Sequence, residues 1–248
     1  MTFNLIVFDL DGTLAESKCD IDEEMSTLFN KLLEKKSVAI ISGGAYTQFQ
    51  KQFLANLNCD NPELLKKLFL FPTCSTRFYK FEDGWKEIYN HDMYQEERNK
   101  IIHALKKMCE ELDYHPEVFY GELIEDRVSQ VTFSALGQRA PAEIKKVWDP
   151  DCSKRIKMKS IVEKYLPEFD IKFGGSTSLD ITRPGIDKGY GMQQIMKHLG
   201  FNKEEILFIG DKLQEGGNDF PVLQTGIKCI SVSSPEDTKK EILKLISE

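Results

Sequence analysis

Short apolar runs alternate with stretches of helical periodicity at both ends of the chain. Runs of this kind are typical of strands that are buried on both faces of a parallel sheet. The runs are Leu5–Phe8, Val38–Ile41, Leu68–Phe71, Ile206–Ile209 and Cys229–Val232. Between them, apolar residues recur at the spacing of one helix face, as in segments 21–33 and 190–199. This alternation predicts an α/β fold with a doubly wound parallel sheet.

The pattern changes in the middle of the chain. Glu82-Asp83-Gly84 lies between two aromatic-rich runs, which indicates a hairpin. Residues 118–124 and 128–135 alternate in the manner of antiparallel strands with one solvated face. Helical spacing recurs over residues 95–112, 142–148 and 153–165. We therefore expect an α+β cap domain of residues 82–186, inserted into a core of residues 1–81 and 187–248.

Polar residues follow the predicted core strands or open a core helix. They are Asp9, Asp11, Ser42, Gly43, Lys188, Asp211, Asn218 and Asp219. Ligands of such sheets bind outside the carboxyl ends of the strands, so we expect these residues to share one site. Each feature alone is also typical of a surface turn or a solvated helix residue. Their joint order and placement favour a catalytic site.

These residue types suit phosphoryl transfer. A carboxylate such as Asp9 can attack phosphorus, and Asp11, two residues further in a turn, can lean over it to protonate the departing oxygen. Ser42 and the backbone of Gly43 can hold phosphate oxygens. Lys188 can neutralise the charge that develops at phosphorus. The carboxylates of Asp211 and Asp219 can complete the coordination shell of a magnesium ion, Mg2+.

Composition and charge limit the expected partners and location. The formal charge is −7, from 33 basic and 40 acidic residues among 248, so we expect no nucleic acid and no anionic membrane as partner. No apolar run approaches the ~18 residues of a membrane span, and Asp9 and Asp11 interrupt the apolar start, unlike a signal peptide. The six cysteines are scattered without a C-x-x-C pair, which predicts reduced thiols and a cytoplasmic location.

Four separated segments resemble the motifs of the haloacid dehalogenase (HAD) superfamily of aspartate-nucleophile phosphotransferases. They are Asp9-Leu10-Asp11-Gly12-Thr13, Ser42, Lys188, and Gly210-Asp211 with Asn218-Asp219. The resemblance implies a HAD-like, Rossmannoid core in which Asp9 forms an aspartyl-phosphate and Asp11 is the general acid and base. It implies metal ligation by Asp9, the Asp11 carbonyl and Asp211, with Asn218 and Asp219 in the same metal loop. It also implies phosphate binding by Thr13, Ser42 and Gly43.

The cap and the last motif look most like the phosphomannomutase branch of that superfamily. Position by position, the resemblance implies that Arg127 holds a substrate phosphate. It likewise implies that Ser178 and Asp180 hold sugar hydroxyls. Because members of that branch form dimers through their caps, the resemblance also implies a possible homodimer through the cap.

The cap departs from that branch at two expected phosphate-binding arginines. This chain has Gln138 and Lys145 at those positions, with Arg139 beside the first. Glutamine lacks both the charge and the planar fork of arginine. A mutase must grip a sugar bisphosphate in both orientations, so the departure weakens the expectation of a mutase unless Arg139 and Lys145 replace the missing groups.

The sequence leaves more than one function open. Our first hypothesis is a Mg²⁺-dependent phosphatase acting on a sugar phosphate. The alternative is a phosphomannomutase that interconverts mannose 1-phosphate and mannose 6-phosphate. A non-catalytic sugar-phosphate sensor is a third hypothesis, but the joint presence of Asp9, Asp11, Lys188 and Asp211 argues against it. Binding alone requires no nucleophile paired with an acid.

Overall fold

The computed structural model describes residues 3–247, apart from the side chain of Ala142. Its strands are β1 (Leu5–Phe8), β2 (Ser37–Ile41), β3 (Leu68–Phe71), β4 (Arg77–Phe81), β5 (Trp85–Asn90), β6 (Ile124–Asp126), β7 (Val131–Ser134), β8 (Asp170–Gly174), β9 (Ser178–Thr182), β10 (Ile206–Gly210) and β11 (Lys228–Ser231). Its helices are α1 (Glu23–Lys35), α2 (Tyr46–Gln52), α3 (Pro62–Leu65), α4 (Gln95–Glu111), α5 (Ala142–Trp148), α6 (Ser153–Tyr165), α7 (Lys188–Leu199), α8 (Phe220–Leu223) and α9 (Pro235–Ser247).

The chain divides into two compact units. The first comprises residues up to Asn90 and from Asp187 onward, and the second comprises residues 91–186. The first unit holds a seven-stranded sheet in the order β11-β10-β1-β2-β3-β4-β5. The five strands β11, β10, β1, β2 and β3 run parallel to one another. Successive residues of β1 point to opposite faces of the sheet, where they pack into two separate apolar clusters. The predicted α/β class with a parallel sheet covered on both faces is confirmed.

Strand register brings the ends of the central strands together. In β1, Phe8 lies opposite Ile40 of β2 and Ile209 of β10. Parallel strands in register finish at the same edge of the sheet, so the residues that follow them emerge side by side. Asp9 follows β1 directly, and Ser42 follows β2.

The hairpin of β4 and β5 belongs to the first unit rather than to the inserted segment. We predicted the boundary at residue 82, whereas the second unit begins at His91. The hairpin extends the core sheet, because β4 pairs antiparallel with β3 and places Tyr79 opposite Leu70. Apolar and polar residues alternate in an antiparallel edge hairpin just as they do in the strands of a separate α+β unit. The sequence pattern alone therefore did not show to which unit the hairpin belongs.

The second unit contains a four-stranded antiparallel sheet in the order β6-β7-β9-β8. One face carries Val131, Phe133 and Leu179, which pack against apolar residues of α4 and α6. The opposite face is polar. The predicted strand over residues 118–124 is wrong for most of its length, because β6 begins only at Ile124. Within residues 3–247, no helix combines the length and the apolar character needed to cross a membrane.

Candidate active site

The carboxylate of Asp9 lies buried at the carboxyl end of the central strand. Its backbone N–H donates to the Ile209 carbonyl of β10 at 3.0 Å, which continues the ladder and fixes the residue at the sheet edge. Its Oδ2 accepts a hydrogen bond from Thr13 Oγ1 at 3.3 Å. Thr13, which we predicted to bind phosphate, therefore contacts the predicted nucleophile.

Lys188 is the first residue of α7, and its buried side chain reaches two carboxylates. The helix start is set by Asp187, whose Oδ1 accepts from the Tyr190 N–H at 2.9 Å. The Lys188 Nζ donates to Asp9 Oδ1 and to Asp219 Oδ1. Burial alone would lower the pKa of Lys188, but the charges of Asp219 and Asp9 outweigh it and raise the pKa above its ordinary value. The ammonium is therefore held charged inside the site.

Three carboxylates converge around this lysine. Asp9, Asp211 and Asp219 each place one oxygen within 4.8 Å of the others. Burial, together with the neighbouring charges of Asp219 and Asp211, raises the pKa of Asp9 to about 7 in spite of Lys188. Lys188 pairs with Asp9 and Asp219, and Lys212 Nζ donates to Asp211 Oδ2 at 2.7 Å. Three carboxylates therefore face two ammonium groups, which favours an added cation.

The donor set fits a magnesium ion. Asp211 Oδ1 is buried and accepts no hydrogen bond from the part of the chain that the structure describes. An unpartnered buried carboxylate oxygen is costly, so it suits a cation ligand better than a structural role. Mg²⁺ prefers oxygen ligands from a few carboxylates, with water completing its shell. Asp9, Asp211 and Asp219 can supply those ligands, whereas the side chain of Asn218 is exposed beside them.

Gly12 permits the close approach of the metal loop to the first strand. Its φ is +91°, and a Cβ at this position would lie 2.5 Å from Asp211 Oδ2. Any other residue would therefore push the carboxylate of Asp211 away from the cluster. This explains why the acidic turn after β1 contains glycine at this point.

The carboxylate of Asp11 points toward helix α2. We expected it to lean over Asp9, but its Oδ2 accepts from Gln48 Nε2 at 2.9 Å. Its Oδ1 accepts from the Lys18 N–H at 2.6 Å and from Gln52 Nε2 at 3.3 Å. The predicted general acid is thus held by two glutamines that the sequence analysis did not single out.

The loop Ser42–Gly44, which contains Gly43, is fixed by a strained turn that follows β3. The Ser42 carbonyl accepts from the Cys74 N–H, and the Gly44 carbonyl accepts from the Thr73 N–H, both at 2.9 Å. Thr73, Cys74 and Ser75 have φ values of 47°, 52° and 65°. Non-glycine residues in this left-handed region cost about 1–2 kcal/mol each. Such strain persists where the surroundings fix the backbone, often at functional sites.

The second unit presents a polar face that carries two predicted sugar-binding residues. Ser178 and Asp180 lie opposite Ser134 and Thr132 in the pairing of β9 with β7. Ser178 Oγ shares a hydrogen bond with Ser134 Oγ at 2.8 Å, and Thr132 Oγ1 donates to Asp180 Oδ1 at 2.7 Å. A buried row of hydroxyls and a carboxylate offers the hydrogen-bonding groups that a sugar requires.

Two cationic side chains converge on Gln138 in the same unit. Arg127 donates from its terminal nitrogen to Gln138 Oε1 at 3.5 Å, and Lys145 Nζ donates to the Gln138 carbonyl at 3.4 Å. Arg127 also forms an ion pair with Glu125 at 2.6 Å. Glu125 lies opposite Thr132, so this cluster shares the polar face of the sheet. Arg139 is exposed.

The sequence analysis did not single out several residues that contact predicted site residues. Ser134 contacts Ser178, Thr132 contacts Asp180, and Lys212 contacts Asp211. Gln48 and Gln52 contact Asp11, and Glu125 contacts Arg127. The sequence does contain a signal for Gln48 and Gln52, since their spacing of four places them on one face of the helix that follows the Ser42 loop. Glutamines at such spacing are usually solvated, so only the fold reveals what they contact.

The fold of this chain is the fold of solved haloacid dehalogenase-like proteins. A solved haloacid dehalogenase-like hydrolase from Bacteroides thetaiotaomicron aligns over 98% of this chain and 100% of its own, with a TM-score of 0.64 and 16% identity. The IMP-bound IMP-nucleotidase of Plasmodium falciparum aligns over 99% of this chain and 68% of its own, with a TM-score of 0.69 and 21% identity. These similarities confirm the predicted fold.

A sequence profile described as eukaryotic phosphomannomutase matches residues 25–248. The phosphomannomutase of Saccharomyces cerevisiae is 27% identical over 252 residues, which cover 98% of this chain and 94% of that protein. The chain therefore belongs to the eukaryotic phosphomannomutase family. The predicted resemblance and the prediction of a HAD-type enzyme are confirmed. Between our two enzymatic hypotheses, the comparisons favour the phosphomannomutase alternative over the phosphatase that we ranked first.

Proposed function

We propose that this protein is a phosphomannomutase that interconverts mannose 1-phosphate and mannose 6-phosphate through an aspartyl-phosphate on Asp9. The observation that carries the proposal is the convergence of Arg127 and Lys145 on Gln138. A mutase needs a second phosphate-binding group besides the one at the nucleophile. Arg127, which also pairs with Glu125, and Lys145 are both cationic side chains of the kind that bind phosphate. Lys145 thus supports a phosphate site despite the missing arginine.

The residues of the first unit have separate roles in the proposed reaction. Lys188 Nζ donates to Oδ1 of Asp9 and Thr13 Oγ1 donates to Oδ2, so the two contacts orient the attacking carboxylate. In one half-reaction, phospho-Asp9 transfers its phosphoryl group to O6 of mannose 1-phosphate while Asp11 accepts the hydroxyl proton. In the other, Asp9 attacks the phosphorus on O1 of the bisphosphate, and Asp11 returns the proton to the departing O1. The products are mannose 6-phosphate and phospho-Asp9, so the enzyme is regenerated.

Bound Mg²⁺, held by Asp9, Asp211 and Asp219, would neutralise charge on the transferring phosphoryl group. Ser42 and Gly43 would hold its oxygens, and Lys188 would hold the attacking carboxylate in place. Ser178 and Asp180 would orient the sugar, while Arg127 and Lys145 bind the phosphate that is not reacting. A cytoplasmic location and the absence of nucleic-acid and membrane partners remain predictions.

Phosphorus NMR tests the proposed function directly. Mannose 1-phosphate is mixed with the purified protein, Mg²⁺ and a catalytic amount of hexose 1,6-bisphosphate, and the signals of mannose 6-phosphate and free phosphate are followed together. We expect mannose 6-phosphate to appear with little free phosphate. Release of phosphate without the isomer would contradict the proposal and return the protein to our first hypothesis, a phosphatase.

Replacing Arg127 with alanine, or Lys145 with glutamine, is expected to raise the KM for mannose 1-phosphate by about 10-fold or more, because each loses a charge-assisted hydrogen bond. The share of free phosphate among the products should also rise, since water has longer to attack phospho-Asp9 when mannose 1-phosphate is held less tightly. The same NMR assay measures both. Lys146→Gln is the matched control, because Lys146 is the exposed neighbour of Lys145. Unchanged kinetics in both cap variants would refute a phosphate site at this cluster.

We also propose a homodimer through the second unit. Phe119 is 59% exposed. It lines a pocket of about 420 Å³ with Ile102, Leu123 and Ile124. Exposed apolar patches of this kind are typical of protein interfaces. Phe119→Lys is expected to halve the mass measured by sedimentation equilibrium, whereas Val147→Lys, an exposed apolar control in the same unit, should not. A monomeric wild-type protein would contradict this proposal.

A further inference from the structure

We propose that the side chain of Lys212 sets how tightly the carboxylates of Asp9, Asp211 and Asp219 bind Mg²⁺. Its ammonium group is a built-in counter-ion that weakens binding of the metal to the free enzyme. The inference rests on the magnesium site of the proposed function. It gives a role to a residue that has no part in the proposed phosphoryl transfer.

Lys212 contacts two of the three carboxylates. Its Nζ donates to Asp211 Oδ2 at 2.7 Å, and its backbone N–H donates to Asp219 Oδ2 at 3.0 Å. The other oxygen of Asp211, Oδ1, is buried and has no hydrogen-bond partner among residues 3–247. A cation on Oδ1 would therefore share one carboxylate with the ammonium of Lys212. Like charges repel more strongly at a partly buried site than in bulk water, so the ammonium opposes binding of the metal.

The two lysines of the cluster differ in how far they can respond to a metal ion. Lys188 is 1% exposed and donates to both Asp9 and Asp219, so it is enclosed by its partners. The side chain of Lys212 is 40% exposed and contacts only Asp211 in the cluster. A lysine ammonium is strongly hydrated and lies on a flexible four-carbon stem, so Lys212 can move toward solvent when a cation arrives. Its charge is therefore the one that competes with the metal.

Contacts other than the Lys212 ammonium also hold Asp211 in place. The Asp219 N–H donates to the Lys212 carbonyl at 3.2 Å, which, with the bond from the Lys212 N–H to Asp219, fixes the backbone directly after Asp211. The carboxylate itself packs against Gly12, where a Cβ would lie 2.5 Å from Oδ2. Loss of the ammonium should therefore change the charge of the site more than its shape. On this ground we expect removal of the charge to tighten metal binding rather than weaken it.

The built-in counter-ion has a consequence for the proposed reaction. Mg²⁺ takes part of its oxygen shell from substrate phosphates in many phosphoryl-transfer sites. A site weakened by Lys212 would leave more of the binding free energy of the metal to these phosphate oxygens. The free enzyme would then exchange its metal readily.

Calorimetric titration of the full chain with MgCl₂, after removal of metal with EDTA and dialysis, measures the affinity. Lys212→Gln removes the charge but keeps a hydrogen-bond donor for Asp211, and we expect it to lower the Kd for Mg²⁺ by about 10-fold or more. Lys212→Arg keeps the charge and should have a Kd close to that of the wild type. Lys203→Gln is the matched control, because it removes the same charge from an exposed position in the first unit. It should leave the Kd unchanged.

Thermal unfolding gives a second measurement, because a ligand that binds only the folded protein raises its Tm. The same concentration of Mg²⁺ should raise the Tm of Lys212→Gln more than that of the wild type.

An unchanged or higher Kd in Lys212→Gln would overturn the inference, since the lysine would then have no effect or would serve only to position Asp211. Equal tightening in Lys212→Arg, or no detectable binding of Mg²⁺ by any of these proteins, would overturn it as well. The titrations contain no sugar phosphate, so these outcomes are separate from the phosphorus NMR assay, which alone decides between mutase and phosphatase.

Discussion

Asp9→Asn is expected to lower phosphoryl transfer by at least about 10⁴-fold, as loss of a nucleophile does in covalent catalysis. Asparagine keeps the size of the side chain and an oxygen that can accept from Lys188, so the contacts around it persist. It also removes one of three negative charges from a buried cluster. We therefore expect the fold to be retained while turnover is lost. Rapid-quench detection of phosphoenzyme and the phosphorus NMR assay measure the change.

The control for this variant is Asp20→Asn, which changes an exposed aspartate in the same chain segment. It should have wild-type activity. Circular dichroism and thermal unfolding of Asp9→Asn would show whether the protein is folded. Turnover in a folded sample of Asp9→Asn would contradict the assignment of the nucleophile.

Lys188→Met is expected to lower the free energy of unfolding by about 3–5 kcal/mol, because it leaves buried carboxylates without their partner. Lys188 is 1% exposed and contacts both Asp9 and Asp219. Methionine has a similar length but no charge, so repulsion between the two carboxylates would remain uncompensated. Urea unfolding measures the effect. Activity should also be lost, since the attacking carboxylate would no longer be held.

Two comparisons make this result specific. Lys197→Met changes an exposed lysine of the same helix and should cost less than about 1 kcal/mol. Adding Asp219→Asn to Lys188→Met should recover part of the lost stability, because it removes one of the unpaired charges. A Lys188→Met protein as stable as the wild type would show that the cluster is neutralised in another way.

The parallel core was predictable because its strands are buried on both faces. Such strands consist of continuous apolar residues, so Leu5–Phe8 and Ile206–Gly210 are visible in the sequence without knowledge of their neighbours. Their shared edge then indicated which polar residues would meet. The pairing of β1 with β10 brings Asp9 and Asp211 into one cluster, although the paired Leu5 and Ile206 are far apart in the sequence.

The errors arose where the outcome depends on contacts between distant residues. The hairpin after β3 has the alternation of a separate segment, and only its pairing with β3 shows that it extends the core sheet. The direction of the Asp11 side chain depends on Gln48 and Gln52, which resemble ordinary solvated residues in the sequence. We ranked the phosphatase above the mutase because Gln138 stands where an arginine was expected and lacks its positive charge. In the fold, Gln138 lies where Arg127 and Lys145 meet.

The position of β1 in the sheet has a consequence for protein synthesis. Its neighbour β2 follows within the same N-terminal segment, but its other neighbour, β10, is made only after the whole of residues 91–186. Long-range pairing of parallel strands is slow, so we expect β1 to remain unprotected on the ribosome while the second unit, whose strands pair locally, folds first. Limited proteolysis of ribosome-bound chains that end near residue 200 would show early protection of Leu5–Phe8 if this order is wrong. If β1 does remain unprotected, chaperone dependence during synthesis should centre on this exposed apolar strand rather than on the inserted unit.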